Sequence, residues 1–252
     1  SCSKTFRRAD FSRKDVRHAQ HMIGIEFSPA QIDTMYRYLG NNRDGIDTMR
    51  QYTLDFRTGP ALYFDPLPFG FRIPPATESR QEWPLPAATT VKPDEDNLAY
   101  LSVAELCVLI REKKITSEAL TRHYLERIHR FDPQLHAVIT LLEERALEQA
   151  RRADREMAAG RYRGPLHGIP YGIKDLFSLA GYPTTWGAAP YRAQTLDYTA
   201  TVIEKLDSAG AVLVAKLTSG SLARGDVWYG GMTRNPWDTL QGASGSSAGS
   251  AS

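Results

Sequence analysis

The sequence predicts an α/β fold, and three observations carry that prediction. Helix-periodic apolar positions recur from about Leu101 onward. Apolar runs of strand length interrupt them: HAVITLL (136–142), IPYGI (169–173) and AVLVAKL (211–217). Glycines at 160 and 210 close the intervening helical segments. Helices alternating with fully apolar strands imply a sheet covered on both faces.

Each element has a local reason. Residues 1–78 carry helical patches, DFSRKDVRHAQHMIGIEF and then SPAQIDTMYRYLG. In the second, Ser28 is an N-cap with Pro29 at N1, and Ile32, Met35, Tyr36 and Leu39 follow at helical spacing. Gly40 is the expected C-cap. Residues 79–97, SRQEWPLPAATTVKPDEDN, are rich in Pro and polar residues and predict a linker. The α/β part then occupies 98–252. Ser102 with Glu105 makes a capping box ahead of the stripe Val103, Leu106, Leu109 and Ile110. A second helix opens at Thr116-Ser117 and buries Leu120, Tyr124, Leu125 and Ile128. HAVITLL has the β-branched content of a buried strand. EERALEQARRADREMAAG predicts a charged helix ending at Gly160, and TATVIEKLDSAG a further one.

Composition narrows the function classes. The 252 residues, 42% hydrophobic and 24% charged, suit a soluble globular chain of one or two domains. Thirty-one Lys+Arg against 29 Asp+Glu leave a net +2, too balanced to point to nucleic acid or an anionic membrane. No apolar run is long enough to span a bilayer. With two cysteines, one at position 2 and Cys107 inside a helical apolar pattern, no disulfide framework is expected. The six histidines are scattered without ligand spacing, so neither a metal nor a cofactor is expected. The start at Ser1-Cys2 suits a processed or partial chain. Cytoplasmic and exported, periplasmic locations both stay open, and the oligomeric state is not readable.

Two segments stand out, GPLHGIPYGIKDLFSLAGYPTTWGA (164–188) and RNPWDTLQGASGSSAGSAS (234–252). Together they resemble the amidase signature family, whose members hydrolyse carbon–nitrogen bonds with a Ser–cis-Ser–Lys triad. The resemblance runs over about 98–252, including LSVAELCVLIREKKITSEALTRHYLERI and GAVLVAKL. It implies a mixed, mostly parallel sheet surrounded by helices. It places the family's lysine on Lys174, and the serine preceded by a cis peptide bond on Ser246 within Gly245-Ser246-Ser247-Ala248-Gly249. Gly245, Ser247 and Gly249 become candidate substrate or loop residues. The nucleophilic serine, by the same resemblance, is expected beyond residue 252, which leaves this stretch inactive alone. Trp186, Ala188 and Ala243-Ser244 depart from the family pattern, and these departures bear on the substrate more than on the reaction.

The chemistry fits the residue types. A serine hydroxyl attacks only when a base takes its proton, and lysine is such a base only when neutral, a state favoured by burial. Gly172, Ile173 and Leu176 are the expected source of that burial. Glycine and alanine let backbone amides approach a substrate closely.

Blander assignments compete at each position. The tail has the composition of a flexible linker, and Gly245–Gly249 also fits a G-x-S-x-G elbow with Ser247 as nucleophile, although NPWDTLQGA looks turn-rich rather than strand-like. A P-loop is excluded, because no Lys follows the glycines. Lys216 is an alternative base but is expected to be structural. His167 is a generic candidate, and Asp175 is expected to brace its loop. Tyr171, Phe177 and Trp186 suit either an acyl pocket or core packing. The expected partner is a small-molecule amide rather than nucleic acid. The rivals are the transamidating component of a tRNA-dependent amidotransferase and a non-catalytic interaction protein.

Overall fold

The computed structural model describes residues 11–55, 58–62, 64–67, 70–75, 85 and 98–252. Cys2 and, Leu85 excepted, the Pro-rich segment 79–97 lie outside the described residues. The chain divides into two compact units, Ser1–Glu78 and Ser79–Ser252.

In the first unit, α1 (Arg13–Ile23) starts at a capping box of Ser12 and Asp15 and ends at Gly24 in the left-handed region, φ 67°. Helix α2 (Pro29–Met49) starts at the expected Ser28, whose box partner is Gln31. Ile32 is buried, and Tyr36 donates its hydroxyl to Phe11 O at 2.9 Å. Gly40 is not a C-cap: α2 runs on to Met49. Beyond Gly40, the guanidinium of Arg43 sits over the Phe11 ring at 5.6 Å. This contact from outside the helix favours continuation where the glycine alone suggested a stop.

The second unit is built on a three-stranded mixed sheet in the order β1-β3-β2. The strands are β1 (Val138–Leu141), β2 (Pro170–Lys174) and β3 (Val212–Leu217). β2 runs parallel to β3, and β1 antiparallel to it. The helices are α3 (Val103–Arg111), α4 (Ser117–Leu135), α5 (Glu143–Ala158) and α6 (Thr201–Ser208). The Ser102–Glu105 capping box opens α3 and Thr116 caps α4.

Alternation along β3 assigns its two faces. Val212 and Val214 pack with Leu125 of α4 and Ala146 and Ala150 of α5. Leu213 turns the other way, to Ile173 of β2 and Ile203 of α6. Each fully buried Val or Leu contributes roughly 1.5–3 kcal/mol, and central β3 collects most of that gain. β1, at the edge, is half-buried along its whole length.

Two hairpins follow, β4 (Val227–Trp228) with β5 (Gly231–Met232), and β6 (Arg234–Asn235) with β7 (Asp238–Gly242). The Asn-Pro-Trp segment, expected to be turn-rich, is therefore the bend of a hairpin. Asn235 Oδ1 accepts from Trp237 N at 3.0 Å, the Asx turn that Asn before Pro favours. A last short helix, α7 (Ala248–Ala251), ends the chain.

Candidate active site

Lys174 is the last residue of β2. Its backbone is registered opposite Leu217 of β3, so the buried sheet dictates where its side chain leaves. Nζ donates to Ser246 Oγ at 2.7 Å and to Ser247 Oγ at 3.0 Å. Burial pushes the Lys174 amine below the ordinary lysine range. The enclosure is less complete than the flanking residues suggested. Ile173 is buried, but Leu176 is 38% exposed and Lys174 is half-buried. Among the described residues β2 is an edge strand of the sheet.

The Gly/Ser tail is not a free linker; several backbone bonds tie it down. Ala243 N donates to Thr233 O at 2.9 Å, and Ser246 O accepts from Gly220 N at 3.1 Å. Gly249 N donates to Thr218 O at 3.1 Å, while Asp226 Oδ2 accepts from Ser244 N at 3.2 Å. The Gly245–Ser246 peptide bond is cis. Gly245 and Gly249 are required by close approach. A Cβ on Gly245 would lie 1.9 Å from Gly225 O, and one on Gly249 2.2 Å from Ala137 O. Neither candidate glycine is there for flexibility; the backbone around each leaves no room for a side chain.

Under α7, Thr218 Oγ1 and Thr233 Oγ1 lie 2.6 Å apart and Thr233 donates to His136 O at 2.9 Å. Thr218, Thr233 and Asp226 were not legible as site residues. Their one sequence signal is a pair of hydroxyl residues, Thr218-Ser219, directly after an apolar strand.

The other candidates separate cleanly. Ser247, at φ −87°, precedes α7 and follows the end of β7 at Gly242 by several residues. A nucleophile elbow has its serine at a sharp turn directly off a strand, and this loop does not. His167 is buried with both ring nitrogens engaged: Nδ1 accepts from Arg163 N at 2.9 Å, and Nε2 lies 3.1 Å from Ala153 O. Lys216 and Asp175 are buried together, Nζ to Oδ1 at 2.6 Å. Tyr171 packs into the core beside Ile173 and Leu213, and burial pushes its hydroxyl far above the ordinary tyrosine range. Phe177 is exposed. Trp186, at φ 53°, packs against Tyr191 with ring centroids 4.9 Å apart.

Residues 119–252 match the Amidase family. Over 160 residues the chain is 39% identical to the putative amidase AmiD of Mycobacterium bovis, covering 62% of this chain and 33% of that protein. It is 43% identical over 153 residues to a glutamyl-tRNA(Gln) amidotransferase component of Nitrosomonas europaea, covering 60% and 31%. Among solved structures, the peptide amidase of Stenotrophomonas maltophilia superposes with a TM-score of 0.56 at 37% identity, covering 60% of this chain and 33% of that one. The chain thus spans about a third of the length of these relatives. With the family match covering more than half its residues, and the fold of its second unit shared with solved amidases, this chain belongs to the amidase signature family.

Proposed function

We propose that residues 98–252 carry the base and the bridging serine of an amidohydrolase, with the nucleophilic serine supplied by a segment outside 1–252. The observation that carries this is the 2.7 Å approach of Lys174 Nζ to Ser246 Oγ. In the first step, neutral Lys174 takes the proton of Ser246 while Ser246 takes that of the attacking serine, whose oxygen bonds to the amide carbon. The same two groups then return the proton to the departing nitrogen, and water cleaves the resulting ester by the reverse relay. The substrate class is a small-molecule amide. The test is Lys174→Ala in the full-length protein: turnover should vanish with the fold intact. Near-parental hydrolysis of every amide that the parent cleaves would remove Lys174 from the mechanism.

A second assignment is favoured by the 43% identity to the amidotransferase component. In that case the same pair would serve an amidotransferase that acts on glutamyl-tRNA(Gln). Copurification of the full-length protein with a tRNA-binding partner, and tRNA-dependent amidotransferase activity, would select it.

A further inference from the structure

Beside Lys174 the protein buries a second ionic group that the proton relay does not use. Asp175 and Lys216 are both fully buried and paired at 2.6 Å. Lys216 Nζ also donates to Pro183 O and, at 2.8 Å, to Thr184 Oγ1. An ammonium has three protons to give, so all of its donors are taken. Asp175 Oδ2 accepts from Thr185 N at 2.9 Å and from Thr185 Oγ1 at 2.5 Å. Beyond the ion pair itself, every one of these partners belongs to one stretch, 183–185.

Replacing a buried ion pair by apolar residues often costs no stability, so stability alone is a weak reason for the pair. Its connections supply a better one. Thr185 Oγ1 accepts from Gly187 N at 3.1 Å. Trp186 O accepts from Leu222 N at 2.8 Å, and two residues earlier Gly220 N donates to Ser246 O at 3.1 Å. A continuous set of hydrogen bonds and short chain segments therefore runs from Asp175 to the Ser246 peptide. Neighbouring residues at a strand end face opposite ways: Lys174 reaches Ser246 directly, and Asp175 reaches it through the two turns.

We propose that Asp175, Lys216 and Thr185 form a positioning network that holds the Ser246 loop at its distance from Lys174. The network rests on the Lys174–Ser246 assignment above. The full-length protein should be compared as parent, Lys174→Ala, Thr185→Val and Thr185→Ser, measuring kcat and KM for the amide it cleaves fastest, with Tm alongside. Thr185→Val keeps the shape but removes the hydroxyl between Asp175 and Gly187. It should lower kcat by about tenfold to hundredfold while leaving KM within about twofold. Thr185→Ser, which keeps the hydroxyl, should recover most of kcat. Parental kcat in Thr185→Val, or no recovery in Thr185→Ser, overturns the network even when Lys174→Ala is dead. Activity surviving in Lys174→Ala overturns the base assignment and the network with it. If Thr185→Val does not fold, Thr184→Val, which removes one acceptor from Lys216, should show the same kcat loss. Failure of both to fold would assign these residues to stability and overturn the proposal.

Discussion

Lys174 and Ser246 are 72 residues apart in the chain, yet Nζ and Oγ meet at 2.7 Å. One side chain leaves the end of a sheet strand, and the other stands on a loop anchored by Gly220, Asp226 and Thr218. Two separately anchored backbones converge there, so small displacements of either should register in catalysis.

The rate should depend on pH through Lys174. Only the unprotonated amine accepts a proton, so activity rises as pH rises through its pKa. Burial lowers that pKa, which places the rise below the range of an exposed lysine. Lys174→Arg should be inactive at every accessible pH, because a guanidinium stays protonated. A pH profile of kcat/KM for the full-length protein checks both statements, and a rise in the ordinary lysine range would contradict the first.

The two serines that touch Lys174 should differ. Ser246→Ala removes the hydroxyl proposed above as the bridge and should cost about 10²–10⁴ in kcat, the span of a proton-transfer group. Ser247→Ala leaves the 2.7 Å contact in place and should cost less than about tenfold, the share of a single peripheral hydrogen bond. Equal losses in steady-state kinetics would refute the distinction.

Gly245→Ala should disturb the loop without touching a reacting group. Its Cβ would fall 1.9 Å from a backbone oxygen, Gly225 O, and backbone has little room to yield. Misplacing Ser246 by a fraction of an ångström to an ångström should cost about 10²-fold in kcat, with about 1–3 kcal/mol of overpacking strain in denaturant unfolding.

In the first unit, Gly40→Ala separates a helix end from a helix interior. Nothing lies within 4 Å of a Cβ built there, and α2 passes through the position. Alanine should therefore stabilise this unit by about 0.5–1 kcal/mol. At a left-handed C-cap the same change would destabilise it, so the sign of the shift in thermal unfolding decides.

Features set by neighbours in the chain were legible from sequence. The N-cap at Ser28, the capping box at Ser102, the strands at 138–141, 170–174 and 212–217, and the motifs around Lys174 and Ser246 depend on residues within a few positions of each other. Hydrogen bonding and apolar periodicity act over that range, so they leave a local record. The Gly/Ser tail shows where that record stops. By composition it matched a linker, and the bonds that hold it come from Thr218, Gly220, Thr233 and Asp226, outside the tail itself.

The amino-acid order by itself determined helices α3 to α6, the three strands of the central sheet and the lysine and serine motifs. Tertiary structure alone decided that α2 continues past Gly40, that Lys216 pairs with Asp175, and that the Gly/Ser tail is bonded to Thr218, Gly220 and Thr233. Each of those outcomes depends on which distant surface comes to lie against a residue. Burial, charge pairing and close approach exist only after the sheet has brought those surfaces together.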